Sequence, residues 1–97
     1  MADYIFFMHD DAPATVNGAA WQQYFSKLRD GGHFNGGSAI GDGVCVNKNG
    51  SPPPIAAQLT GYIRIQAESL AEARRLLEGN PVYEAGGTIE IRELPRD

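Results

Sequence analysis

Hydrophobic and polar residues follow two spacings along this chain, and these spacings predict where strands and helices form. Residues 4–8 are a continuous apolar run rich in aromatic side chains, typical of a central strand buried on both faces. Residues 59–67 and 88–92 alternate between apolar and polar side chains with a period of two, as strands do. The glycine-rich residues 33–41 predict a bulged strand, which residues 44–46 continue weakly.

A first helix is predicted between the first two strands. Thr15 or Asn17 can cap its start, and Gly31 and Gly32 are placed to end it. Its apolar residues recur at i, i+3, i+4 and i+7, which gives one stripe that faces the core. That stripe consists of Trp21, Tyr24, Phe25 and Leu28.

A second helix is predicted after the third strand. Ser69 and Glu72 form a capping box, with Ser69 as the N-cap and Glu72 as the third helical residue. Pro81 lacks a backbone N–H and biases Asn80 away from the α region, so the helix is expected to stop near Glu78. Its predicted buried stripe consists of Leu70, Ala73, Leu76 and Leu77.

The order of these elements predicts the fold class. Two β-α-β units joined by a loop indicate an α+β, ferredoxin-like β-α-β-β-α-β sandwich, a four-stranded antiparallel sheet with the helices on one face. The 97 residues fit one domain, residues 1–97, and a domain of this size has modest stability alone. The sheet face without helices would carry polar side chains. We therefore expect a homodimer that pairs through this open sheet face.

Composition excludes several classes of partner. The net charge is −4 and no cluster of Lys or Arg appears, so nucleic acid and anionic membrane surfaces are not expected as partners. No apolar run approaches the roughly 20 residues that a membrane span needs. Cys45 is the single cysteine, which rules out an intrachain disulfide and points to a reducing cytoplasm. Between two valines and without a basic neighbour, Cys45 is predicted to be buried and structural.

His9 and Asp10 are the candidate catalytic residues, because they stand at the carboxyl end of the first strand. His9 could act as a general base oriented by a neighbouring carboxylate. The same residues are also explained as a polar strand end in which Asp11 caps the next segment. His9 and His33 alone are too few ligands for a credible metal site, so neither a metal nor a cofactor is expected.

Five further residues are candidate ligand-binding groups: Arg64, Asn80, Tyr83, Gly36 and Gly37. The two glycines lead into strand residues and not into a helix, which excludes a phosphate loop but leaves room for a ligand against the backbone. Arg64 lies between two isoleucines on the open sheet face, either as an anchor for an anion or as the ion-pair partner of Glu90. Asn80 and Tyr83 belong to the turn after the second helix.

Three segments resemble the YCII-related family, including its DGPF-containing branch. They are Gly-Gly-Ser-Ala-Ile-Gly at 36–41, Gly-Tyr-Ile-Arg-Ile at 61–65 and the run from Gly79 to Arg92. The resemblance implies a dimeric α/β barrel, in which two ferredoxin-like subunits pack sheet against sheet and a cleft lies between sheet and helices. It also implies a hydrolase-like or lyase-like site made by a His of the first helix and an Asp before the exit-turn proline.

This chain departs from that family pattern at both catalytic positions. Its first helix has no His, Asn80 stands before Pro81, and no Asp-Gly-Pro-Phe motif is present. The sequence therefore predicts a small-molecule-binding or accessory domain without the family's His/Asp pair. Two alternatives remain open: a small cytoplasmic enzyme that uses His9 and a neighbouring carboxylate, and a module that binds another protein through its sheet face.

Overall fold

A computed structural model describes residues 1–96 and confirms the predicted ferredoxin-like arrangement. Four strands form one antiparallel sheet in the order β2-β3-β1-β4. A 3₁₀ turn at Gly18–Ala20 precedes the first helix. The strands and helices, in chain order, are β1 (Ala2–His9), α1 (Trp21–Asp30), β2 (Phe34–Ala39), β3 (Leu59–Ala67), α2 (Leu70–Arg75), α3 (Pro81–Glu84) and β4 (Ile89–Leu94).

The two faces of the sheet differ in burial. On β1, Phe6 is fully buried and lies opposite Ile63 of β3 and Ile91 of β4, on the side that the helices cover. Ile5 and Phe7 alternate with it and are only half-buried. The predicted burial of this strand on both faces is therefore wrong for a single chain, because nothing within residues 1–96 covers the second side. We call that second side the open face; it carries Ile5, Phe7, Tyr62, Arg64, Glu90 and Arg92.

Helix α1 follows its predicted boundaries closely. The side chain of Asn17 accepts a hydrogen bond from the N–H of Ala19 at 3.2 Å, so it caps the 3₁₀ turn that leads into the helix. Gly32, with φ of 75°, ends the helix in the left-handed region. Tyr24 and Leu28 are buried in the core, as the apolar stripe predicted.

Helix α2 is shorter than predicted. The Ser69 hydroxyl accepts the Glu72 N–H at 3.1 Å, which confirms the N-cap. The regular helix ends at Arg75, and turns continue to Gly79, where φ is 89°. Leu70 is 53% exposed, so its predicted place in the buried stripe is wrong. The residues of this stripe that are buried lie further along, at Ala73 in the helix and at Leu77 in the turns that follow it.

The segment between β2 and β3 contains no strand over residues 40–58. The pairing of Ala39 with Gly61 is the last of this ladder, and one further hydrogen bond runs from the Ile40 N–H to the Thr60 carbonyl. The predicted continuation through residues 44–46 is wrong, because no neighbouring strand extends far enough to pair with it. Cys45 is accordingly half-buried on a loop and not in the core.

No helix within residues 1–96 is both long and apolar enough to cross a membrane.

Candidate functional site

A cavity of about 510 Å³ opens between α1 and the helix-covered side of the sheet. We call it the sheet–helix cavity. It lies where β1 ends, β3 begins and β2 forms the edge. Its lining residues are Met8, His9, Asp10, Ala12, Val16, Trp21, Phe25, Gly37, Ser38, Ala39, Thr60, Gly61, Tyr62, Ile63 and Val82.

The strand floor of this cavity depends on residues without side chains. The pairing of β2 with β3 shifts register between Phe34 and Gly37, which is the predicted bulge. A Cβ on Gly37 would stand 2.6 Å from the Tyr62 carbonyl oxygen, so only glycine fits this close approach. Gly36, with φ of 97°, shapes the bulge but does not line the cavity.

One wall of the cavity is aromatic. Trp21 and Phe25 stack with ring centroids 5.5 Å apart, and the ring centroids of Phe25 and Phe34 are 5.3 Å apart. Trp21 is the only tryptophan of the chain, so its fluorescence reports on this wall alone. Trp21 and Phe25 both belong to the apolar stripe of α1 that the sequence predicts.

His9 lines the cavity, and its imidazole is tied to a carboxylate. The His9 Nε2–H donates to Glu90 Oε1 at 3.1 Å, and Arg92 donates to the other Glu90 oxygen at 3.2 Å. These two contacts, that of His9 first, hold the pKa of Glu90 below its usual range. Glu90 alternates with two isoleucines that face the helices, so the carboxylate that orients His9 belongs to the open face.

The two aspartates after β1 have different roles. Asp11 accepts hydrogen bonds from the backbone N–H of Thr88 at 2.8 Å and from its hydroxyl at 2.6 Å, which lowers the Asp11 pKa. Asp11 therefore ties the end of β1 to the start of β4. Asp10 is exposed and lines the cavity, and its carboxylate has no hydrogen bond or ion pair within the described residues. The backbone of Asp10 is fixed, because its N–H donates to the Gln58 carbonyl at 2.6 Å.

Arg64 lies outside this cavity. It is exposed on the open face and makes no ion pair with any of residues 1–96. Its predicted partner Glu90 is occupied by His9 and Arg92 instead. Within one chain, the predicted ion pair of Arg64 with Glu90 is therefore not formed.

Asn80 is fully buried and acts as a helix cap. Its Oδ1 accepts the N–H groups of Val82 at 3.0 Å and Tyr83 at 3.1 Å, which satisfies the first turn of α3. Its Nδ2 is buried without a partner in residues 1–96. Tyr83 is 48% exposed. The structure thus brings His9, Asp10 and Gly37 together at one cavity and leaves Arg64, Asn80 and Tyr83 away from it.

A second cavity of about 520 Å³ lies between α1 and the turn around α3. Three of its polar side chains have structural contacts. The Tyr24 hydroxyl donates to the Leu76 carbonyl at 2.8 Å, and burial raises the pKa of Tyr24 to about 12. Lys27 donates to the Glu78 carbonyl at 3.0 Å, and Glu84 accepts the Gly79 N–H at the same distance. The contacts of Tyr24 and Lys27 join α1 to the turns between α2 and α3.

The two histidines do not form a shared site. His33 lies at the opposite end of β3, where its Nδ1–H donates to the Gln66 carbonyl at 2.7 Å. Among residues 1–96, no three His, Cys, Asp or Glu side chains come together as metal ligands.

Comparison with known proteins identifies the family. No curated protein matches this chain. Among solved structures, the chain is similar to 5-chloro-2-hydroxyhydroquinone dehydrochlorinase (TftG) from Burkholderia phenoliruptrix AC1100, in complex with 2,5-dihydroxybenzoquinone. The identity is 17% and the TM-score 0.63, over 98% of this chain and 95% of the other, which shows a common fold. A family model for the YCII-related domain matches residues 5–96, and this chain therefore belongs to the YCII-related family.

Proposed function

We propose that this protein binds a small molecule in the sheet–helix cavity and does so without the His/Asp pair that its family resemblance implies. The observation that carries the proposal is the cavity itself, whose volume of about 510 Å³ falls within the rough range of 300–1,000 Å³ for small-molecule sites. Its walls are mostly apolar and aromatic, with a few polar groups where the strands end, which is the usual composition of such sites.

The comparison adds support of a coarser kind. TftG shares the fold and was solved with 2,5-dihydroxybenzoquinone bound. At 17% identity, the ligand of this chain has to be argued from its own residues. The aromatic wall of Trp21 and Phe25 favours a ligand with a flat apolar part that can stack on it.

We also propose that the protein acts as a homodimer through the open face. Half-buried Ile5 and Phe7 lie on this face beside charges of both signs, Arg64, Arg92 and Glu90. A two-fold axis brings identical patches together, so a face with mixed charges can pair its own opposites. A second copy would cover Ile5 and Phe7 and would bring its own acidic side chains to the face that carries Arg64.

A second candidate function is general acid–base catalysis by His9. The favouring observation is the hydrogen bond from His9 Nε2 to Glu90, which orients the imidazole; in the neutral ring this tautomer has Nδ1 unprotonated and able to accept a proton. Binding alone remains the better-supported function, because Glu90 belongs to the open face and the cavity lies on the other side of the sheet. Replacing His9 by Ala should abolish any turnover yet leave ligand affinity intact if this second candidate is right.

Trp21 fluorescence tests the binding proposal directly. Benzyl alcohol, a neutral single-ring probe, should quench Trp21 saturably. The variant Ala39→Leu should weaken that binding by about tenfold, because the added side chain fills the cavity from an exposed lining position. Ala57→Leu adds the same bulk on an exposed loop away from the cavity and serves as the matched control. Equal affinity in both variants, or no saturable quenching in the wild type, would contradict the proposal.

A further inference from the structure

The sheet–helix cavity has an unequal charge balance. Within the described residues, its lining contains neither Lys nor Arg. Two arginines lie on strands of this sheet, Arg64 on β3 and Arg92 on β4, and both belong to the open face on the other side. The lining includes one carboxylate, that of Asp10.

The Asp10 carboxylate is free, whereas its acidic neighbours are not. Asp11 is held by Thr88, and Glu90 is held by His9 and Arg92. Asp10 makes no such contact with any of residues 1–96, although its backbone is anchored to Gln58. A carboxylate carried on an anchored backbone therefore stands at the cavity with its hydrogen-bonding capacity unused.

The aromatic wall also favours positive charge. The faces of indole and phenyl rings carry negative potential and attract cations. Phe34, which packs beside this wall, already attracts a cation, since the Arg29 guanidinium lies 5.0 Å from the centre of its ring. Phe34 contacts Phe25, which stacks on Trp21, so the rings nearer the cavity have the same character.

We propose that the cavity selects an organic cation, an amine whose apolar part packs on Trp21 and Phe25 while its ammonium group meets the Asp10 carboxylate. The inference rests on the proposed binding function and names its ligand class. An anionic ligand would find neither Lys nor Arg in the lining and would be repelled by Asp10. The net charge of −4 acts in the same direction at longer range.

Three probes that share one ring separate charge from shape: benzylamine, benzyl alcohol and benzoate. Titration of Trp21 fluorescence, with calorimetry as a second readout, should rank them in that order at neutral pH. Benzylamine should bind about three- to fivefold more tightly than benzyl alcohol, the range expected for one exposed ion pair with an aromatic contribution. The advantage should shrink as salt rises, because an exposed charge pair is screened.

Asp10→Asn tests the residue assignment. Asp10 is exposed, so the variant should fold with an unchanged melting temperature. Its affinity for benzylamine should fall most of the way to that of benzyl alcohol, with only the contribution of the aromatic rings remaining. Asp42→Asn removes the same charge from an exposed loop outside the cavity and should keep the amine preference.

The outcomes separate the two proposals. Saturable binding of benzyl alcohol without any amine preference, or with benzoate bound most tightly, overturns the inference and leaves the binding function standing. An amine preference as large in Asp10→Asn as in the wild type overturns the role of Asp10. If none of the three probes binds, the binding function fails and the cation selectivity fails with it.

Discussion

The two sides of the same sheet differ in their chemistry. The helix-covered side joins a buried apolar core to a cavity whose only charged lining carboxylate is Asp10 among the residues described. The open face carries Arg64 and the linked pair of Glu90 and Arg92, and Glu90 also accepts a hydrogen bond from His9, which lines the cavity where β1 ends. Alternate residues of the same strands therefore supply a space suited to a ligand on one side and charges of both signs on the other. Arg64, an ionisable residue that the sequence predicts to bind a ligand, lies on the side away from the cavity.

Adjacent phenylalanines of β1 give the sharpest test of this difference. Phe6→Ala should lower the free energy of unfolding by about 3–5 kcal/mol, because Phe6 is fully buried on the helix-covered side. Phe7→Ala should cost the isolated chain clearly less, because Phe7 is half-buried on the open face. Denaturant titration at low protein concentration measures both.

The same pair tests the homodimer. Light scattering should show a dimer for the wild type and for Phe6→Ala under folding conditions, and a shift toward monomer for Phe7→Ala. A wild-type monomer at micromolar concentration, or equal losses of stability for the two variants, would remove the distinction between the two sides.

The burial of Tyr24 on the helix-covered side predicts that the folded protein loses stability at alkaline pH. Burial raises the pKa of Tyr24 to about 12 from 10, so the folded protein keeps the phenol proton after the unfolded chain has lost it. This contribution is fully present below pH 10 and is lost as the pH rises toward 12. A pKa difference of about two units between the folded and unfolded states corresponds to about 2–3 kcal/mol of folding free energy. Tyr24→Phe should be slightly less stable at neutral pH, by about 1 kcal/mol for the lost bond to Leu76, yet should lack this part of the alkaline loss.

Asn80 tests whether the exit turn has a structural role. Asn80→Ala should lower stability by about 1–2 kcal/mol, because the buried N–H groups of Val82 and Tyr83 lose their acceptor. Asn80→Ser keeps a neutral side-chain oxygen that can accept at the start of α3, so it should cost less than Asn80→Ala. Thermal melts rank the variants, and equal losses for the two would show that the amide group itself is required.

Glu90 offers the smallest effect and the most specific one for the open face. Its depressed pKa means that its stabilising contribution is present above the pKa of the unfolded chain and is lost as the pH falls through the folded value. His9→Ala should raise the Glu90 pKa toward its ordinary value, because the bond from His9 is the larger cause of the shift. Carbon NMR titration of the carboxyl group measures this, with Arg92→Gln expected to give the smaller rise. No change in His9→Ala would mean that the two side chains do not pair in solution.

Local signals in the sequence predicted the fold well. The capping box of Ser69, the break at Asn80-Pro81 and the helix stop at Gly32 each act over a few residues, and the structure confirms all three. The loop after Ala39 was less predictable, because strand propensity at residues 44–46 has no effect without a neighbouring strand to pair with.

The sequence predicted the candidate site only in part, because the contacts that build it join residues that are far apart along the chain. His9, Asp10 and Gly37 line the cavity as strand-end and bulge positions allow. Arg64 does not, because its strand turns it to the open face, and Asn80 does not, because burial makes it a cap.

Element order, helix ends and the alternation of apolar residues follow from short-range rules and can be read directly from the residues. The partner of His9 could not be read in this way, because it is Glu90, 81 positions away, and the register of β1 shifts between Met8 and His9. A shift of one residue moves a side chain from one face of a sheet to the other. Which charges face the cavity is therefore set by packing between distant segments and not by any local pattern.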